Sequence, residues 1–583
     1  MNPNERPQQR ILPLKYLNAR CVDDFEMNQL DQSTAHLLRQ RELCAGNVFK
    51  NYQDWRSLID RIGLEKVLEG HDGCVNTLRW NRSGTLLLSG SDDQTVKIWN
   101  LAGELVKSIA TTHTGNVFGA EFLPHSGDQI LVTSAADCSV RLHYLEYKEE
   151  PYVWKARQRV KRLAVANDEP YLVWSAAEDG HIRQHDTRTY EAPTILRHEQ
   201  GFKSLAVCAE RTEFLAVAPT SEIVPVYDRR YMSKPMIEVQ PGDFDAESDD
   251  SHYPTHVGFD DLGTELLVNM GGRAVYVFDI RNPQEKPEST WDAVEKVVAN
   301  PTGPHEDLKG SADLLACTRR LNKMIEEKRV FEGIDAYTTE IHSGRYSESD
   351  QSILLAERGF SRLTRHGDGD AYAALKDALE AMKISCQNRK AIFCLARALV
   401  NLKQWKLASQ ACRLYRVSFP QSNTIRRVED KLRGIEDSFS AENRDYKERY
   451  IGQHNNFTDI KEAAFFGGNQ GYILAGSDCG SLFVWDRKAG VLHSLFNADA
   501  DILNIVQPHP TLPIFATSGI EDVIRLWGPM PAEEYRCQEK YENPYEALKS
   551  IHGPGASDAS ILQGHQFLRM FHMNEAPIEC TMQ

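Results

Sequence analysis

Three tetrapeptides in this chain carry the same pair of opposite charges at the same spacing: His185-Asp186-Thr187-Arg188, Tyr227-Asp228-Arg229-Arg230 and Phe278-Asp279-Ile280-Arg281. The pattern of an aromatic-type ring, then Asp, then Arg two positions on, suits recognition rather than catalysis. A guanidinium presents a planar fork of donors that matches a carboxylate. That carboxylate is either the neighbouring Asp186, Asp228 or Asp279, or one on another protein. Three copies in succession favour the second use. No reactive constellation accompanies them. There is no phosphate-binding Gly-rich loop, no Gly-x-Ser-x-Gly elbow, no His-Glu-x-x-His and no complete calcium loop, Asp368 notwithstanding. The 12 cysteines are scattered, none at Cys-x-x-Cys spacing. Neither a zinc ribbon nor a redox pair is indicated, and no catalytic residue, metal or cofactor is expected.

The elements that must position the arginines repeat along the chain. Residues 70–100 read GHDGCVNTLRWNRSGTLLLSGSDDQTVKIWN, with short β-branched and aromatic runs at 77–80, 86–89 and 95–99. This stretch resembles a WD-repeat blade of a β-propeller. The resemblance implies that His71, Ser89, Asp93 and Trp99 form one hydrogen-bonded network, in which charge-assisted bonds satisfy the buried Asp. The frame recurs at His113, Thr133, Asp137 and His143, with His in the Trp position, and again at Ser175, Asp179 and His185. Weaker copies end at Tyr227, Phe278, Trp485 and Trp527. Asp186 and Asp228 lie 42 positions apart, as do Trp485 and Trp527. Five copies precede residue 282 and two follow 455. Together they make seven, a number that closes a ring without exposed sheet edges. The last copy lacks a fourth strand, which residues 64–69 can supply.

Between the fifth and sixth copies the sequence becomes rich in Ala, Leu, Lys and Arg with helical periodicity. Residues 353–388 and 389–422 resemble consecutive tetratricopeptide (TPR) repeats, with Leu402, Trp405, Ala408 and Pro420 near consensus positions. A fainter copy at 331–341 precedes them, and three repeats make about the smallest stable stack. Such a stack either offers a concave groove to peptides or braces the propeller, and the groove is the favoured use. Two alignments of the fifth blade's last strand remain open. Residues 288–297 would set the helical block opposite the arginines, and 446–451 would set it on their rim.

The Asp-x-Arg tetrapeptides resemble the Trp-Asp-x-Arg motif of WD-repeat substrate receptors for cullin-4 ubiquitin ligases, with His, Tyr and Phe replacing Trp. The resemblance implies that Arg188, Arg230 and Arg281, with Asp186, Asp228 and Asp279, dock on the ligase's large β-propeller adaptor. Amphipathic helices expected at 25–45 and 51–62 fit the N-terminal element such receptors insert. The order of modules is similar to the adipose family of WD and tetratricopeptide repeats proteins. That family implies recruitment of substrate proteins to the cullin-4 ligase, restraint of fat storage, and contacts with histones and histone deacetylase.

The fold expected is therefore mainly β with an α insert, a seven-bladed propeller of five plus two blades. Its segments are an N-terminal helical region (1–63), blades one to five (64–300), helical repeats (301–445), blades six and seven (446–530) and a tail (531–583). The formal net charge of −16 repels nucleic acid and attracts basic partners such as histone tails. The acidic run 243–250 is expected to be a solvated loop. The absence of a signal-peptide stretch and of any membrane-spanning apolar run points to cytoplasm and nucleus. Cys580-Thr581-Met582-Gln583 fits a prenylation pattern, weakened by Thr581 and by an upstream stretch without basic residues. The intact mass of the expressed protein is expected to show no isoprenoid. A prenyl adduct on Cys580 would reverse that reading.

Overall fold

Alternation explains the strands. In the run Thr95–Asn100, Val96 and Ile98 bury against Val117 and Leu131 on one side. Trp99 buries on the other, with Ile505 and Leu526. Each sheet is therefore covered by a neighbouring sheet on both faces, and its strands are apolar nearly throughout. The computed structural model describes residues 55–146, 151–242, 252–281, 289–299, 303–365, 367, 369–422, 424–431, 445–530, 537 and 539–551. Among these, the strands pair into seven four-stranded sheets, the blades of one propeller. Four blades are continuous in sequence before the interruption, running from Val75–Trp80 through Ile237–Val239.

Two pairings close the ring over long sequence separations. Ile62–Leu68 adds as the fourth strand of blade seven, antiparallel to Ile524–Pro529, with Ile62 opposite Pro529 and Leu68 opposite Ile524. The strand starts two residues before the expected 64 because Ile62 belongs to the apolar cluster around Trp527. Helix α1 (Trp55–Asp60) leads into it and buries Leu58 and Ile59 in the same cluster. In blade five, Glu448–Tyr450 pairs with Val275–Asp279, setting Tyr450 opposite Val275. This overturns the alternative fourth strand at 288–297. There the chain forms helix α2 (Thr290–Ala299), because Val294 and Val298 repeat at four-residue spacing and bury on one side. The helical block thus begins inside the expected 64–300 propeller segment.

The block continues as three helix pairs: α3 (Ala312–Glu326) with α4 (Val330–His342), α5 (Glu348–Arg365) with α6 (Asp370–Ile384), and α7 (Arg389–Asn401) with α8 (Trp405–Ser418), followed by the short α9 (Arg426–Lys431). Two pairs turn through a left-handed residue at the same place, Lys328 (φ 63°) and Lys403 (φ 57°), each two residues past the first helix. In the middle pair the left-handed residue is Gly369 (φ 68°), the N-cap of α6. That recurrence marks a repeat in the backbone as well as in the sequence. Ser311 and Asn388 cap α3 and α7 by accepting from Leu314 N and Ala391 N. Gly359 lets α5 approach α6 so closely that a Cβ there would lie 3.2 Å from Asp377 Cβ. The segment 531–583, expected as a tail, contains helix α10 (Pro544–Ile551). Ala547 and Leu548 of α10 bury against Phe483 and Trp485 of blade six. The expected helix at 25–45, the acidic run 243–250, Asp368 and Cys580 lie outside the described residues.

The inner strands carry a second bond across the interruption. Glu462 of blade six, 1% exposed, accepts from Arg79 of blade one at 3.2 Å and from Arg162 of blade three. Arg79 also donates to Glu121 of blade two at 2.8 Å. Burial works against the Glu462 charge, but the two guanidiniums hold its pKa down at about 2. Replacing Glu462 by Gln leaves Arg162 buried without that counter-charge. The expected cost is about 3–5 kcal/mol, measured by denaturant unfolding at neutral pH. A loss below about 1 kcal/mol would show that the ring closes without this hub.

Candidate docking rim

Antiparallel strands put the first–second and third–fourth connections of each blade on one rim, and the second–third and inter-blade connections on the other. The three Asp-x-Arg turns end the third strands His181–Asp186, Val224–Asp228 and Val275–Asp279. They therefore share one rim of blades three, four and five. The helical block, inserted between the third and fourth strands of blade five, leaves from that same rim directly after Arg281.

Each turn is built the same way. Asp186 accepts from the Arg188 backbone N at 2.9 Å, from Nε at 3.0 Å and from Nη2 at 2.7 Å. Asp228 accepts from the corresponding atoms of Arg230 at 2.9, 2.9 and 2.7 Å. Asp279 does so from Arg281 N at 3.0 Å and from its Nε and Nη2. These bonds draw the Asp186 pKa down to about 2. Each carboxylate thus clamps its own guanidinium, the pairing that three successive copies had weighed against, while the arginine side chains stay 58%, 67% and 61% exposed. Pairing and exposure coexist: the Asp fixes where the Arg stands, and the outward surface of the guanidinium remains open for a partner. Fixing the side chain in advance lowers the entropy lost on docking.

The same rim collects exposed aromatics that the sequence reading missed. Tyr190 follows Arg188 in its turn and is 41% exposed, and Tyr231, directly after Arg230, is 73% exposed. Tyr171, 47% exposed, opens the second strand of blade three, and the Arg188 guanidinium sits 4.9 Å from its ring. Tyr152 stacks on Tyr190 with centroids 4.3 Å apart. Leu105 and Leu262, also exposed, lie on the same side, in or beside the third–fourth connection of blade one and the first–second connection of blade five. Tyr and Arg dominate the energetically important positions of protein interfaces. The signal was present in the sequence as Arg-Thr-Tyr and Arg-Arg-Tyr, two places past Arg188 and one past Arg230.

The opposite rim holds the His-Asp networks. His71 lies 2.7 Å from Asp93 through Nδ1 and 2.7 Å from Ser89 Oγ through Nε2. Ser89 Oγ accepts from Trp99 Nε1 at 2.9 Å. Bonds from His71 and Thr95 hold the Asp93 carboxyl well below its ordinary range against the opposing effect of burial. In blade two, His113 lies 3.0 Å from Asp137 and 2.8 Å from Thr133 Oγ1, which is 2.8 Å from His143 Nε2. Blade three repeats only the inner half, His185 Nε2 to Ser175 Oγ at 2.8 Å. There Asp179 pairs with Arg183 instead, and His198, just before the first strand of blade four, turns its ring back to Gln200. These groups tie strands to turns. Among the described residues, no His, Cys, Asp and Glu are grouped to hold a metal ion, and no helix is long and apolar enough to cross a membrane.

His143 and His185 stand where blades one and seven have Trp99 and Trp527, each donating from Nε1 to a Ser or Thr hydroxyl. A neutral imidazole can imitate that donor only as its Nε2–H tautomer. Burial, with smaller contributions from His113 and Arg141 at His143 and from Arg183 at His185, lowers both pKa values to about 3.

The sequence model for the WD domain, G-beta repeat, matches residues 63–100. The chain is 32% identical over 616 residues to WD and tetratricopeptide repeats protein 1 of Homo sapiens, covering 86% of this chain and 90% of that protein. It is 31% identical to the Mus musculus protein of the same name, with the same coverage. It is also 28% identical over 269 residues to DDB1- and CUL4-associated factor 6 of Homo sapiens, covering 42% of this chain and 31% of that protein.

An imidazole whose folded pKa lies below its unfolded one takes up a proton on unfolding. Its contribution is full above about pH 6.5 and declines as the pH falls toward 3. Each of His143 and His185 is expected to remove roughly 1.4 kcal/mol of stability per pH unit in that window. Denaturant unfolding at pH 7 and pH 5 checks this. The His143→Trp/His185→Trp protein should lose distinctly less between the two values, and an equal loss would defeat the assignment.

Proposed function

The chain belongs to the family of WD and tetratricopeptide repeats protein 1, and on that premise we propose that it is a non-catalytic adaptor whose arginine rim docks on the propeller adaptor of a cullin-4 ubiquitin ligase. The observation that carries the reading is the triple Asp-clamped arginine, exposed on consecutive blades, with exposed tyrosines beside Arg188 and Arg230. The DDB1- and CUL4-associated relative supports it. In this reading the three helix pairs are TPR-like repeats, and they or the opposite propeller rim hold substrate proteins. Restraint of fat storage, and residence in cytoplasm and nucleus, belong to the same proposal. A second reading, a chromatin corepressor scaffold holding histones and histone deacetylase, is favoured by the net charge of −16.

The test is co-purification of the ligase adaptor with wild type and with Arg188→Ala/Arg230→Ala/Arg281→Ala. Binding should fall at least about tenfold, while the thermal midpoint stays near wild type because all three side chains are exposed. Retained binding with strongly salt-dependent capture of histones would instead favour the scaffold.

A further inference from the structure

Residues 539–541 extend a blade that is already complete. Asn497 N donates to the Glu539 carbonyl at 2.8 Å and Tyr541 N to the Leu495 carbonyl at 3.0 Å. Between them Lys540 stands opposite Phe496 in an antiparallel bridge. The strand they pair with, Val491–Asn497, is the fourth and outermost of blade six. Lys540 Nζ also donates to the Asp60 carbonyl of α1 at 2.9 Å. Asn543 then caps α10, its side-chain oxygen accepting from Tyr545 N at 3.1 Å and from Glu546 N at 3.3 Å.

Helix α10 faces blade six and the helical block at once. Ala547 and Leu548 share one apolar cluster with Phe483, Trp485 and Leu495 of blade six and Phe331 of α4. The Tyr545 ring lies 5.6 Å from the Phe331 ring, and its hydroxyl donates to Asp335 of α4 at 2.7 Å. Asp335 accepts in addition from Leu492 N at 3.4 Å. One short segment therefore touches α1, blade six and α4, and what it covers is a sheet edge continued by an apolar groove. Its own hold is slight. An eight-residue helix is marginal in water without docking. Among the described residues, two backbone bonds tie the extended part to the edge. A segment held this way opens at a lower free energy than the sheet beneath it.

We infer that residues 539–551 are an intramolecular ligand, a strap over a docking site on blade six, and that this site takes a partner peptide built alike: a short extended stretch, then a helix carrying Tyr-x-Ala-Leu. The segment seated in the site sets the chemistry of the occupant. Strand addition to an open edge supplies backbone bonds whatever the sequence, and the groove reads the side chains that follow. The phenol is selected by Asp335, and the Ala-Leu pair by the rings of Phe483 and Trp485. Tethering gives the chain's own copy a high effective concentration, so the site is closed to a free peptide until the strap leaves. Because Tyr545 bonds α4, release also loosens one contact between the helical block and the propeller.

A protease site placed between Met530 and Cys537 of the full chain, cut after folding, tests the strap with a labelled synthetic peptide of residues 539–551. The cut protein should exchange its own fragment for the peptide and bind it saturably, one per chain. The uncut protein should bind at least about tenfold more weakly. Tyr545→Phe in the peptide should weaken binding to the cut protein by about threefold or more. Hydrogen exchange on the uncut chain gives an independent reading. The amides of Asn497 and Tyr541 should exchange at least about tenfold faster than that of Leu474, which lies in the second strand of the same sheet. No exchange of the fragment for the peptide, equal binding to cut and uncut protein, or protection equal to that of Leu474 would overturn the strap.

Discussion

The fold depends on the hydrogen-bonded pairing of Ile62–Leu68 with Ile524–Pro529. A row of seven sheets has two raw edges unless its ends meet, and an open edge pairs with whatever strand it encounters. Joining the chain's first described strand to its last propeller strand removes both edges. The inner strands add the Glu462 hub, which bonds blades one and three to blade six. With the ring closed, every third strand is held in one direction, and each Asp-x-Arg turn emerges on the same side. The arginine rim is a consequence of closure before it is a property of any one arginine.

Closure also explains how a long helical insert is tolerated. Blade five needs only the short strand Glu448–Tyr450 to finish its sheet, and the connection leading to it is on a rim, where added chain does not break a sheet. The block does not hang free. One apolar cluster runs from Phe214, Val226 and Phe278 of blades four and five into Leu375, Leu379 and Leu395 of the helices. Gly490, at φ 69°, brings the blade-six turn against Thr338 of α4, where a Cβ would lie 3.0 Å from Thr338 Cγ2. The faces of α4, α5 and α6 that reach the propeller serve as a brace, and a cavity lined by Arg358, Arg362 and Arg365 is the space left in that contact.

Much of the site was written in local sequence. The Asp-x-Arg spacing sets both residues in one turn, so their pairing follows from two-residue geometry. The His71, Ser89, Asp93 and Trp99 contacts connect turns and strands of a single blade, again within a short stretch. Helix α2 was harder to see, because Val294 and Val298 give a short apolar run that strand and helix share until packing decides. The aromatic members of the rim, Tyr152, Tyr171, Tyr190 and Tyr231, come from different strands and turns, and their exposure cannot be read from residue type. The stripe Arg358, Arg362 and Arg365 was visible as helical spacing. That it faces two carboxylates, Asp377 and Asp370, and a cavity was not, since a charged stripe on a helix ordinarily faces water.

By itself, the sequence determined the blade repeats and the helix pairs, because each rests on interactions among residues close along the chain. Tertiary structure alone decided which strand completes blade five, that the helical block shares the arginine rim, and that residues 539–551 join blade six to α4. Those depend on pairings and contacts between residues distant in the chain, such as Val275 with Tyr450, and no local preference encodes the distance across which they meet.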